Sequence, residues 1–265
     1  MAQRWRDLQR GAGLSRHLHG GVPERTVLTM RQKATLGQRF LGDRSAVSAV
    51  EFAVILPVLM LLTAAGLQLV TYLNAIRKVD LIANSISQII SQASPPQGST
   101  VATVNSLDLH FTYDASMVLF PYVLQDAKRR GISWYQAISI NFASIAFIAK
   151  VPACGSNADP SECYVATVAW TSMGTAGDNY RRCVTPQLAA ADSATPNRVS
   201  LPRSVFGPGS IIAVDVVFMF TPTFGAGFID PIRIARSVYL QPRYATLINY
   251  DTTNDDGIAV KCPGY

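Results

Sequence analysis

Hydropathy along the chain falls into three regimes before any regular alternation begins. Residues 1–46 show no sustained period and are rich in Arg, Gly and polar residues, which reads as a flexible leader. From Phe52 to Tyr72, 21 residues carry no formal charge. As a helix this run spans about 31 Å, matching the roughly 30 Å hydrocarbon core of a bilayer. Beyond Leu73 the apolar positions are Ile76, Val79, Ile82, Ala83, Ile86, Ile89 and Ile90, with polar residues mostly between them. Spacings of three, four and seven make this one stripe of an amphipathic helix. Pro95, Pro96 and Gly98 stop it because none can carry the helix onward. The pattern predicts one helix over residues 47–94, half in lipid and half laid on a soluble domain or a neighbouring helix. Pro57 is expected to kink or loosen it.

The remaining residues, 95–265, alternate differently. DASMVLFPYVLQDAKRRG predicts a helix capped by Asp114 and broken or restarted at Pro121. Lys128, Arg129 and Arg130 then form a solvated C-terminal turn before Gly131. Period-two alternation predicts strands over 138–149, 164–171, 211–221 and 234–240. In the first of these the apolar parity changes from Ile138, Ile140 and Phe142 to Ile145 and Phe147, which predicts a bulge near Ala143–Ser144. Residues 211–221 are apolar on both faces apart from Asp215, as in a central buried strand. Short connections suit an antiparallel meander. Ser172–Ser210 is too long for a turn and reads as a tethered loop. Asn254, Asp255, Asp256 and Gly257 read as a turn. The fold class expected is α+β: a transmembrane helix extended into an amphipathic one, then a small outer domain with an antiparallel sheet.

Charge gives the anchor a direction. The net charge of +6 lies entirely in residues 1–46, which hold nine basic and three acidic residues; the remaining chain has 14 of each. A basic leader before a span stays on the cytoplasmic side. Nucleic-acid binding is not expected, because only Trp5 and Phe40 accompany those charges as aromatics. A start at Met30 would keep a basic leader and remove Trp5, His17 and His19. In either case the His17-x-His19 pair in a flexible leader makes a poor metal cage.

All four cysteines (Cys154, Cys163, Cys183 and Cys262) fall beyond the span. An even number in an oxidising compartment predicts two disulfides. No two cysteines have the close spacing of a structural zinc site. Cys154 and Cys163 flank a polar turn, GSNADPSE, and are the first pair expected, with Cys183–Cys262 closing a long loop; the other two pairings stay open. The outer residues hold one histidine, His110, and no G-x-S-x-G. A catalytic triad or catalytic zinc site therefore lacks its parts, so neither an enzyme nor a cofactor is expected. A secretory signal with Ala64-Ala65-Gly66 as its exit fits less well, because the apolar run continues through Leu67, Leu69 and Val70.

AVEFAVILPVLMLL (Ala49–Leu62) and IANSISQIISQ (Ile82–Gln92) are followed by TVAWTSMG (Thr167–Gly174), IAVDVVFMFTPTF (Ile212–Phe224) and SVYLQPRY (Ser237–Tyr244). In this order they resemble the TadE/TadG-like family, minor pseudopilins of the tight-adherence (Flp) branch of type IV pili, and the short TadE-like form in particular. The resemblance implies prepilin-peptidase cleavage between Ala46 and Val47, with alanine where glycine is more usual. It assigns assembly to Glu51, Phe52 and Pro57, and helix packing to Ile76, Val79, Ile82, Ile86 and Ile90. It implies initiation, priming or capping of a Flp pilus. The expected partners are other pilins and pseudopilins, an inner-membrane assembly platform and the peptidase. The chain would cross the bacterial inner membrane once, with its C-terminal domain periplasmic and entry into the extracellular fibre left open. The alternative is an uncleaved single-span periplasmic adhesin or binding module.

Overall fold

The computed structural model describes residues 44–150, 154–155, 159–224, 226–227 and 229–265. The leader before Arg44, with Trp5, His17, His19, Met30 and Phe40, lies outside the described residues. The chain divides into two compact parts, residues 1–59 and 60–265. In the first, the described residues form the opening turns of helix α1 (Arg44–Ser91). Every side chain from Ser48 to Leu59 is exposed, and Pro57 sits inside the helix.

In the second part α1 stays mostly exposed as far as Asn74, then turns one face inward. Ala75, Val79, Ile82, Ala83, Ile86 and Ile90 are each at most 2% exposed. They share a core with Ile140, Phe142, Val216 and Phe218. The helix ends where the Ser91 carbonyl accepts the Arg243 N–H at 2.9 Å, four residues before Pro95. Then follow β1 (Val101–Val104), α2 (Ser106–Leu119), α3 (Tyr122–Arg130), β2 (Ile138–Ala149) and β3 (Tyr164–Ser172). After these come β4 (Leu188–Ala190), β5 (Ser200–Pro202), β6 (Gly209–Phe220), β7 (Ile232–Leu240), β8 (Leu247–Tyr250) and β9 (Ala259–Lys261). The fold is α+β.

The main sheet is antiparallel, with strand order β7-β6-β2-β3-β9. This corrects the expected meander: β6 pairs with β2, not with β3, so the chain between β3 and β6 must cross to the far side of β2. Small two-stranded pairs, β1–β8 and β4–β5, are parallel. β1 and β8 were too short to stand out by periodicity. β8 nevertheless anchors Trp170, whose indole N–H donates to the Ile248 carbonyl at 2.9 Å.

A bulge falls beside Ser144, where the parity change in β2 placed it, but the extra residue belongs to the neighbouring strand. β2 pairs with β6 without interruption from Ile138 to Phe147. The irregularity lies in its pairing with β3, between Ser144 and Ile145, where Ala169 is the extra residue. Ile138, Ile140 and Phe142 face the core containing α1, while Ile145 and Phe147 face a second core containing Leu201 and Phe206. The two ends of one strand are covered on opposite faces.

Helix α2 begins eight residues before the expected Asp114. Asn105 Oδ1 accepts the Asp108 N–H at 3.1 Å and Asp108 Oδ2 accepts the Asn105 N–H at 3.0 Å, a reciprocal cap that satisfies two orphan donors. Pro121 separates α2 from α3, and Gly131 ends α3 at φ +66°. The basic turn of α3 is only partly solvated. Arg129 and Arg130 both pair with the buried carboxylate of Asp126, and they donate to the carbonyls of Pro222 (3.0 Å) and Met219 (3.2 Å). Asn254 and Gly257 have positive φ, and the Asp255 carboxylate accepts the Gly257 N–H, so residues 254–257 form the expected turn.

The long connection from β3 to β6 is tied to the sheet by charge. Arg181 and Asp215 are buried, with Nε–Oδ2 at 2.8 Å and Nη2–Oδ1 at 3.1 Å. Arg181 also donates to the Ser200 carbonyl at 3.0 Å and the Tyr239 hydroxyl at 3.2 Å, and the Ser237 hydroxyl donates to Asp215. Burial pushes the Tyr239 hydroxyl pKa upward, against the pull of the Arg181 charge. Disulfides join Cys154 to Cys163 and Cys183 to Cys262.

Breaking one side of a buried pair leaves an uncompensated charge. Arg181→Met is expected to lower unfolding free energy by about 3–5 kcal/mol, read from denaturant titration of the purified chain. Arg181→Met with Asp215→Leu should lose less than Arg181→Met alone; an equal or larger loss would show that the charge pair is not what holds the connection. Non-reducing peptide mapping should recover the two linked pairs and no free thiol. Loss of Cys183–Cys262 should cost more than loss of Cys154–Cys163, about 4.5 against about 2.7 kcal/mol from loop-closure entropy.

Candidate functional site

The residues given cleavage, assembly or packing roles from the sequence all lie on α1 and divide into two groups. In the first part of the chain, Ala46 and Val47 fall within α1, but their side chains lie outside the described residues. Glu51 is exposed, as are Phe52 and Pro57. Glu51 follows Val47 by four residues, which on a helix places the two on one side. Its carboxylate is therefore one turn from the position where cleavage would create a new amine. Ser48–Ser91 is long and apolar enough to cross a membrane, with the apolar window outside the protein core.

The second group occupies a different environment. Val79, Ile82, Ile86 and Ile90 are buried in the chain's own core, and the partly buried Ile76 packs against it. The structure thus places the stripe on the domain of its own chain. What α1 leaves for other molecules is its exposed apolar surface, including Leu61, Leu69 and Val70. Asp80 accepts from Arg236 Nε at 2.5 Å. With both side chains more than two-fifths exposed, that ion pair orients the helix more than it stabilises it.

Two arrangements were not read from the sequence. One is the Arg181–Asp215 pair; a lone carboxylate in an apolar strand was the available signal, since a buried charge demands a partner. The other involves Gln68, the one amide side chain in the uncharged run. Its Oε1 accepts the N–H groups of Thr223 (3.0 Å) and Phe224 (3.4 Å), from the connection between β6 and β7. Beside it lies an apolar cavity of about 460 Å³ lined by Leu61, Ala65, Tyr72, Phe220, Phe224 and Ile232, among others. Among the described residues no cluster of His, Cys, Asp or Glu has the make-up to hold a metal ion.

Neither the curated proteins nor the solved structures include a match to this chain. The family model described as TadE-like protein matches residues 46–83, which cover α1 from the Ala46–Val47 junction to the middle of the buried stripe. Over those residues the chain is similar to TadE-like proteins, consistent with the resemblance read from its sequence.

Proposed function

We propose that this chain is a minor pseudopilin that supports initiation, priming or capping of Flp (Tad) pilus assembly. A TadE-like domain implies involvement in the Tad/Flp pilus system, and the observation that carries the finer reading is where the match begins. It starts at Ala46, immediately before the bond assigned to the prepilin peptidase. The long apolar helix supports the rest of the reading. The span holds the chain in the inner membrane with its leader in the cytoplasm and its disulfide-tied domain in the periplasm. The other pilins, the assembly platform and the peptidase are its partners. Its work is mechanical rather than catalytic.

Cleavage before Val47 creates an α-amine whose reference pKa is about 8, charged most of the time at neutral pH. That amine and Glu51 both lie at the mouth of the span, just before the apolar run, where an exposed ion pair is worth about 0.2–1 kcal/mol. The amine of one subunit meets Glu51 of its neighbour in only one register, which makes assembly specific. Pro57 gives the helix a point of local adjustment within the apolar run.

The mature N-terminus, measured by mass spectrometry from the native host with and without its prepilin peptidase, tests this directly. A peptidase-dependent start at Val47 is expected; an uncut leader would leave a single-span anchored binding module instead. Glu51→Gln should insert normally yet lower co-purification with other pilins by up to about fivefold, the factor that corresponds to an exposed ion pair of about 1 kcal/mol. Unchanged co-purification would remove the pairing role.

A further inference from the structure

The connection between β6 and β7 reaches a level of α1 where a soluble loop has no reason to be. Gln68 lies four residues inside Tyr72 and nine before Arg77, the first charge after the run. Those separations are about 6 Å and about 14 Å along a helix. Thr223 and Phe224 hydrogen-bond to Gln68, so they sit at the same level. If α1 is the anchor, this level is within the outer leaflet.

The chemistry of the connection fits that depth. Backbone donors and acceptors exposed to hydrocarbon must be satisfied within the protein. At the β6 end of the connection the N–H groups of Thr223 and Phe224 are taken by Gln68, and the carbonyls of Thr221 and Pro222 by Arg129. The apolar side chains are turned outward instead: Phe224 is 57% exposed and Ile229 47%. They adjoin the apolar cavity that opens onto Leu61 and Leu69 of the run itself, so the apolar surface is continuous from helix to connection. Tyr72 lines that cavity and Tyr122 meets Thr223, both half-buried. Lys128 precedes Arg129, which holds the carbonyls of the connection, Arg233 follows the cavity-lining Ile232, and both are exposed. Tyrosines and basic side chains favour the boundary between acyl chains and headgroups. Asp230 is the only acid in TPTFGAGFIDP, and Asp126 is already neutralised by Arg129 and Arg130.

We propose that the β6–β7 connection is a second membrane contact, in which Phe224 and Ile229 enter the outer-leaflet acyl chains beside Gln68 while Lys128 and Arg233 meet the phosphates of anionic lipid headgroups. This rests on reading α1 as the membrane anchor. Held at two places, the domain would have a fixed tilt on the bilayer rather than swinging on a single tether.

The test uses the full chain in phosphatidylethanolamine–phosphatidylglycerol liposomes. Among the described residues no cysteine is free, and the four in the sequence are paired, so one introduced thiol can carry an environment-sensitive fluorophore. Three positions are compared: Ile229→Cys, Leu62→Cys in the run, and Thr253→Cys on the exposed turn. The proposal expects the label at 229 to be quenched by lipids spin-labelled near the glycerol end. The label at 62, about 15 Å inside Tyr72, should be quenched by lipids spin-labelled near the acyl-chain end, with both shielded from aqueous iodide and the label at 253 open to it. Iodide quenching at 229 equal to that at 253, with 62 shielded, would overturn the lipid contact and leave the anchor standing; the cavity would then be open to a protein partner. Iodide quenching at both 62 and 229 would overturn the anchor and this proposal together. Lys128→Gln with Arg233→Gln should reduce lipid quenching at 229 in these liposomes and have no effect in phosphatidylcholine alone. An equal effect in both lipids, or none in either, would overturn the headgroup contact.

Discussion

Burial of one face of α1 beneath the main sheet is the constraint on which the domain depends. Val79, Ile82, Ile86 and Ile90 are at most 2% exposed and share one core with Phe142, Val216 and Phe218. Burying a side chain of that size is worth about 1.5–3 kcal/mol, so four of them contribute on the order of 10 kcal/mol. That is comparable to the whole net stability of a typical domain. The helix is therefore not a handle attached to a finished fold. Without it the sheet would present an apolar face to water, which also explains why the stripe is unavailable as a docking surface for a neighbouring helix.

The second organising feature is the crossing of the chain between β3 and β6. A pure meander would need only turns, but this sheet inserts β6 on the far side of β2. The crossing segment covers the opposite sheet face with Leu201 and Phe206. It is held by an ion pair in the middle, Arg181–Asp215, and by a disulfide next to it, Cys183–Cys262. The ion pair is costly to desolvate, so its value lies in position: the guanidinium reaches its full set of acceptors in one placement of the segment.

Much of this was legible in the residues because strong periodicity is a local signal. The four long strands and the amphipathic stripe came from alternation and helical spacing alone. The strand order did not, because it depends on which apolar faces meet across the chain, and alternation is blind to that. The parity change in β2 correctly marked the site of a bulge beside Ser144, although the extra residue is Ala169 of β3 and the change of parity also records two different covers on one strand. The start of α2 was missed because Asn105 and Asp108 form their reciprocal cap over four residues, a weaker pattern than the acid-led DASMVL segment. Of the site, Glu51 and the exposed run stood out by charge and hydropathy. The Gln68 contact did not, since one amide in an apolar run gives no hint of a partner 155 residues away.

The spacing of the cysteines also sets a clock. Cys154 and Cys163 are nine residues apart, whereas Cys183 must wait for Cys262, 79 residues later. At roughly 5–20 residues per second of synthesis, the first partners emerge within about two seconds of each other. The second are separated by roughly 4–16 seconds. Vectorial emergence thus favours closing the short loop first, which removes two of the three thiols that could otherwise mispair. Cys183 is then left to pair with Cys262, which emerges directly after β9.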